Sequence, residues 1–399
     1  MENLKQQVAQ LSATYFEEVR ALRRHLHQNP ELSCEEVQTA GLICRMLDEY
    51  GIPYQSGIAG TGVVGLIEGK NPSSMCIAIR ADMDALPVTE RNEVPYKSLR
   101  PGVMHACGHD VHMACLLGAA KILNTLKDQF SGTIKLIFQP SEETYPGGAI
   151  RMIEEGVLEN PRPLFVIAQH VINTLQAGDA GLKAGAYMAS TDEIFITVKG
   201  KGGHAATPSQ NVDPVVIAAH IILALQQIVS RNADPVMPTV VSFGKITGEG
   251  RTNIIPDTVT MEGTVRTYSE TWRKSVHERI VRMAGGIAEA MGATCEVRIA
   301  YGYPFLYNDP GLTGKLSDLA SEYLGDAHVK VLDQRMTAED FAYFAEKVPA
   351  CMYRLGIANE REGISSNLHS ATFDVDESSL ETGIGLMAWM ALGILNNEH

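Results

Sequence analysis

Apolar and polar residues follow two different rhythms along this chain, and the change of rhythm divides it. Leu11 to Gln28 carries apolar residues at helical spacing and stops at Asn29-Pro30, where proline ends a helix. Glu35 to Tyr50 predicts a second helix, closed by Gly51. Four short apolar runs follow: Val63–Ile67, Cys76–Ile79, Ile134–Phe138 and Leu164–Ile167. Such runs suit strands buried on both faces. Helical stretches from Val111 to Leu126 and from Ala149 to Glu155 lie between them. Strands alternating with helices predict an α/β fold, a mixed sheet covered on both sides.

From Thr191 the pattern shifts. Glu193 to Lys199 alternates like a half-exposed strand. Asp213 to Ser230 predicts a helix with Pro214 in its first turn. Thr239–Ile246 and Thr258–Thr267 predict two strands, Glu270–Met291 an amphipathic helix, and Thr294–Ala300 a last strand. This β-α-β-β-α-β order is that of a ferredoxin-like α+β sandwich. It predicts an inserted domain at 188–300, inside a first domain built from 1–187 and 301–399. The chain re-enters that domain with a helix at Gly311–Leu324.

Composition narrows the partners. Thirty-three Lys and Arg against 47 Asp and Glu give a net charge of −14, which argues against nucleic acid or an anionic membrane. The start, Met1-Glu2-Asn3-Leu4-Lys5-Gln6, lacks the basic and apolar parts of a secretion signal. Val215 to Val229 is broken by His220, Gln226 and Gln227, too short and polar a run to span a bilayer. Seven scattered cysteines, an odd number, fit reduced thiols in a cytoplasmic protein. Six are expected as small core residues and Cys107 as the exception.

Candidate chemistry gathers where strands end. Cys107 and His109, separated by one glycine, form a thiolate–imidazole pair suited to a zinc-like ion, just before a predicted helix. The helix's positive end would favour the thiolate. Glu142 and Glu143 follow an apolar strand, where one can bind metal and the other take a proton from water. Asp82 and Asp84 follow another strand; Asp82 is favoured as a carboxylate that orients a ligand. His170, at the end of an apolar run, and the distant His369 complete a ligand set for two ions. His105 and His112 are expected in bland roles, and His25, His27, His220, His277, His328 and His399 as structural or surface residues. Gly200–Ala205 lacks the spacing of a phosphate loop, leaving it to present His204. Arg266 and Asn253, on or beside the inserted domain's strands, are candidates to capture a substrate carboxylate.

Together these segments resemble the dinuclear metallopeptidase family of aminoacylase and carboxypeptidase G. The motifs are Arg80–Pro87, His105–Asp110, Gln139–Glu143, Gly200–Pro208 and Asn367–His369. They are closest to its amidohydrolase branch, which includes hippurate hydrolase and indoleacetyl-amino-acid hydrolases. Arg23–His27 with Pro30-Glu31-Leu32 resembles that branch's opening signature. The likeness runs from about Arg20 to Glu377. It implies that Cys107 bridges two divalent ions, with His109, Glu143, His170 and His369 as further ligands and Glu142 as general base. It implies zinc or manganese, with cobalt and nickel also fitting. His204 and Asn253 would contact the substrate, Arg266 its neighbourhood, and the inserted domain would serve as lid and homodimer surface. In such dimers the lid histidine can serve the neighbouring subunit. The implied reaction is hydrolysis of an N-acyl amino acid. Alternatives are a dipeptidase or carboxypeptidase with the same site, a thiol hydrolase using Cys107 as nucleophile, and a ligand-binding protein without catalysis. Arg80 stands where most of the wider family has a metal-binding histidine, and Cys107 where it has an aspartate. Both changes are typical of the amidohydrolase branch.

Overall fold

The computed structural model describes residues 2–397, so His399 lies outside the described residues. The chain divides into two compact units: residues 1–185, 307–333 and 340–399 form the first, and 186–306 with 334–339 form the second.

The first unit is built on an eight-stranded mixed sheet. Its spatial order is Tyr54–Ile58, Gly62–Glu68, Thr133–Gln139, Cys76–Asp82, Phe165–Gln176, Ala350–Ala358, Ala180–Leu182, Val329–Val331. The four central strands run parallel, and antiparallel pairings join them to the outer strands on either side, Gly62–Glu68 to Thr133–Gln139 and Ala180–Leu182 to Ala350–Ala358. Every residue of Thr133–Gln139, Cys76–Asp82 and Ala350–Ala358 is buried, as parallel strands require. Helices Glu2–Gln28, His109–Thr125 and Ser379–Asn397 pack on one another. They share one core with the sheet, including Trp389, Leu116 and Ile384.

The second unit is the ferredoxin-like sandwich. Four antiparallel strands stand in the order Thr239–Thr247, Thr258–Thr267, Asp192–Lys199, Thr294–Tyr301, with helices Pro214–Gln227 and Glu270–Ala290 packed against them. Alternate residues of Asp192–Lys199, namely Ile194, Ile196 and Val198, enter the core. By length and composition, the segment Pro214–Asn232 passes as a membrane span, contrary to the sequence expectation. Its face bearing Ile217, Ile221 and Leu225 instead packs into this core.

All seven cysteines are free. The expectation that all but Cys107 fill the core fails for Cys34, which is exposed, and for Cys44 and Cys295, which are half-buried.

Candidate metal centre

Sheet register brings the sequence-distant candidates to one level. Asp82 pairs opposite Gln139, and Arg80 opposite Ala168, so the strand Cys76–Asp82 ends level with His170. His170 is not at a strand end, as the sequence suggested: its strand continues to Gln176, supported by parallel pairing with Ala350–Ala358. Glu142 and Glu143 lie just past Gln139. Cys107 precedes the helix His109–Thr125, whose N-cap is Gly108 at φ 83. A Cβ there would meet Val171 Cγ2 at 2.5 Å, so only glycine fits the turn between the two ligands. His369 arrives from the far end of the chain, its N–H donating to Ala106 O at 2.7 Å. Ser141 (φ 56) and His369 (φ 63) hold left-handed backbones without being glycine. Such conformations persist where neighbours fix them, and they concentrate at functional sites.

Cys107 Sγ lies 3.6 Å from His170 Nε2 and 3.3 Å from His369 Nε2. Glu143 Oε1 lies 3.3 Å from His369 Nε2 and 3.9 Å from His109 Nε2. Two donor triads result, Cys107–His109–His170 and Cys107–Glu143–His369, each with its ligand atoms within 4.8 Å of one another. They share the Cys107 sulfur. Glu142 clusters with His109 and Glu143 on the same measure. All five expected ligands and the expected base therefore meet in the first unit.

The imidazoles are oriented for ligation. His170 Nδ1 bonds Val171 O, and His109 Nδ1 bonds Asp84 O, both at 2.8 Å. A carbonyl only accepts, so each Nδ1 carries the proton and each Nε2 offers a lone pair. His109 Nε2 is buried without a hydrogen bond.

Electrostatics show which protons a bound cation would displace. Burial, then Glu143, Glu142 and Asp82, push the Cys107 thiol well above its ordinary value. The thiolate expected at the helix's positive end is not favoured by the protein groups alone. Glu142, Glu143 and His369, gathered around the sulfur and its neighbours, would have no work in a thiol hydrolase, which weighs against that alternative. Burial and the Arg354 charge keep His170 neutral. Burial opposes protonation of His109, but Asp82, Asp84 and Glu143 outweigh it and raise it to about 10, so among protein groups alone His109 also holds a proton on Nε2, which a divalent ion would displace. Glu143 likewise raises His369. A cluster of a buried thiol, two glutamates and three imidazoles, open to solvent on the side of the exposed His369, fits divalent cations, which favour thiolate and neutral imidazole.

A neighbouring cluster of the same residue types does not fit an ion. His112 Nδ1 bonds Asp82 Oδ1 at 2.6 Å, and His112 Nε2 accepts the Val171 N–H at 2.9 Å. Both nitrogens are engaged. Asp82 also takes Arg80 Nη1 at 2.6 Å and stands 3.7 Å from His109 Nε2. Arg80 further bonds Gln139 and Asp340. Asp82 thus fixes His112, whose ring packs 4.6 Å from that of His170. His112, expected on a bland helix face, is fully buried in this support. The residue at His109's back is Asp84, which sequence reading ranked second. His105 is also buried, its nitrogens without hydrogen bonds among the described residues, and burial lowers it to about 3.

In the second unit, His204 and Asn253 meet on a short ribbon, Gly203–His204 against Ile254–Ile255. Ala205 N–H donates to Asn253 O at 3.0 Å. His204 is exposed, and its Nδ1 accepts the Ala206 N–H at 3.0 Å, leaving the proton on Nε2. Arg266 is not with them. It sits opposite Val240, eight residues along a strand that begins at Thr258 beside the ribbon. At ~3.3 Å per residue that is roughly 26 Å away.

A sulfur-centred pair of donor triads with a second glutamate beside it, gathered over a mixed sheet, fits a dinuclear metallohydrolase. Comparison with known proteins gives the same class. The family model described as Peptidase family M20/M25/M40 matches residues 78–392. N-acyl-L-amino acid amidohydrolase of Geobacillus stearothermophilus is 42% identical over 308 residues, covering 77% of this chain and 82% of the relative. Thermostable carboxypeptidase 2 of Saccharolobus solfataricus is 40% identical over 378 residues, covering 94% and 95%. A Bacillus subtilis crystal structure, described as a dinuclear metal binding peptidase from M20 family, matches with a TM-score of 0.83 and 34% identity, covering 96% and 99%. The chain belongs to peptidase family M20/M25/M40. It is a metal-dependent enzyme that hydrolyses amide bonds.

Proposed function

We propose that this enzyme cleaves N-acyl amino acids to a carboxylic acid and a free amino acid. The observation that carries the reading is the Cys107-centred double triad with Glu142 beside it. Cys107, His109 and His170 would hold one divalent ion, and Cys107, Glu143 and His369 the other. Divalent ions held there would polarise the amide carbonyl and acidify water. Glu142 takes the proton of the attacking water and delivers it to the leaving nitrogen. The thiolate favours zinc, while the imidazoles and carboxylates also suit manganese, cobalt or nickel.

His204, with its Nε2 proton free to donate, serves the developing oxyanion. Asn253 and Arg266 receive the substrate's carboxylate. Because the ribbon of His204 and the residue Arg266 lie near opposite ends of the strand Thr258–Thr267, a homodimer in which each copy lends one of them satisfies both roles. Val215, Val216, Leu223 and Ile246, exposed on the second unit, support its use as the contact. The free thiols support a reducing, cytoplasmic setting.

The thermostable carboxypeptidase relative keeps a second reading in view, a carboxypeptidase or dipeptidase with this site. A panel of N-acetyl-methionine, hippurate and free dipeptides separates them. The amidohydrolase reading expects turnover of the acylated substrates, lost on chelation and restored by metal. Turnover of free dipeptides alone would overturn it.

A further inference from the structure

Asp84 touches more of the centre than any carboxylate outside the ligand set. Its Oδ1 accepts the Glu142 N–H at 3.0 Å, and its Oδ2 accepts the Glu143 N–H at 2.9 Å. Oδ2 also takes the Ser33 hydroxyl at 2.6 Å. Oδ1 lies 3.4 Å from His109 Nδ1, and the Asp84 main-chain carbonyl accepts from that nitrogen at 2.8 Å. The side chain is buried. The turn it grips begins at Ser141, a left-handed residue. There the Ser141 N–H donates to Glu36 Oε1 at 2.8 Å. Three successive main-chain N–H groups, from 141 to 143, are thus drawn onto two buried carboxylates.

We propose that Asp84 is the positioning residue of the reaction: through the main chain it holds the base Glu142 and the ligand Glu143 in register with the ligand His109. The inference rests on the amidohydrolase reading for its kinetic consequences but not for its geometry. Both carboxylate oxygens are needed. An asparagine keeps the shape but has one acceptor and one NH2. In either orientation, one of the two glutamate N–H groups faces a donor, and the turn must shift. The hold on His109 through the Asp84 main-chain carbonyl survives the substitution, so the disturbance falls on the glutamates.

The test is Asp84→Asn in cobalt(II)-loaded protein, followed by visible absorption, kcat and KM for N-acetyl-methionine, and circular dichroism of the metal-free chain. The expected result is native dichroism, a changed cobalt spectrum, and a kcat lower by about tenfold or more with KM nearly unchanged. An unchanged cobalt spectrum, or an unchanged kcat beside a changed spectrum, overturns the proposal. Should Asp84→Asn fail to fold, Ser33→Ala decides, because it removes a single bond from the same carboxylate. A fall in kcat of about threefold at constant KM supports the role, and an unaltered kcat overturns it. If wild-type protein binds cobalt but cleaves no acylated amino acid, the functional reading fails, and the spectrum still judges Asp84.

Discussion

The two units hold their polar residues in opposite ways. In the first, Cys107, His109 and His170 are buried, and each of the two histidines has its far nitrogen bonded to a carbonyl. Asp84, Asp82 and Arg80 stand behind them with nearly every hydrogen-bonding atom used. In the second, His204 and Asn253 are exposed on a two-residue ribbon with main-chain partners. The first arrangement is complete before a substrate arrives, as preorganised catalysis requires. The second offers groups that act only on contact. Changes to the first unit should therefore act on the chemical step, and changes to the second on what that step gains from recognition.

The largest expected effect is that of Glu142→Gln. Metal content should stay at wild-type level while kcat falls by about 10²–10⁴-fold. Loss of metal instead would make Glu142 a ligand and blur the division of labour between the paired glutamates.

His204→Ala sharpens the comparison from the other side. It removes a donor from the oxyanion, a loss of about 10²–10³ in kcat, without changing metal content. If two copies share a site, mixing His204→Ala with an inactive Glu142→Gln chain restores activity in the mixed dimer. No recovery on mixing would place both residues in one copy's site. Arg266→Lys exchanges a planar fork for a point charge and should raise KM by about tenfold, with little change in kcat.

The smallest expected effect concerns stability of the second unit. Its buried Asp192 accepts from Arg273 Nε at 2.9 Å and bonds His277 at 2.7 Å. Burial opposes the charge, but these partners outweigh it and lower the carboxyl below its ordinary value. The sign follows. The unfolded carboxyl binds protons more readily, so this contribution is whole above about pH 4 and fades as pH falls through the folded value. Asp192→Asn should lower the melting temperature at neutral pH and flatten its decline in acid. An equally steep acid decline in the variant would remove Asp192 from the account.

Much of this was legible in the sequence, for reasons tied to particular residues. The ligand types and the paired glutamates at strand ends announce a metal site through their chemistry alone. The second unit's alternation, as in Glu193–Lys199, maps directly onto its burial. Other parts were hidden. The strand Ala350–Ala358 is buried throughout, and the charge of Arg354 in its middle breaks the apolar run that would mark a buried strand. The closing helix Ser379–Asn397 carries Gly383, Gly385 and Gly393, poor helix formers that weaken its signal in the sequence. Their reason is contact: a Cβ at Gly385 would meet the Tyr323 hydroxyl at 2.0 Å, and one at Gly393 would meet Leu319 at 2.3 Å. Sequence reading favours Asp82 over Asp84, but spacing cannot tell which holds the Nδ1 side of His109 and the glutamate N–H groups; only the fold shows that it is Asp84. The separation of Arg266 from His204 likewise depends on strand register.

The central claim is that two triads share the Cys107 sulfur, and metal stoichiometry tests it most directly. Chelator-stripped protein titrated with zinc should bind two equivalents per chain, and Cys107→Ala should weaken both sites together, since both lose a ligand. A wild-type chain that saturates at one equivalent, or a Cys107→Ala chain that keeps one site at full affinity, would contradict a shared thiolate.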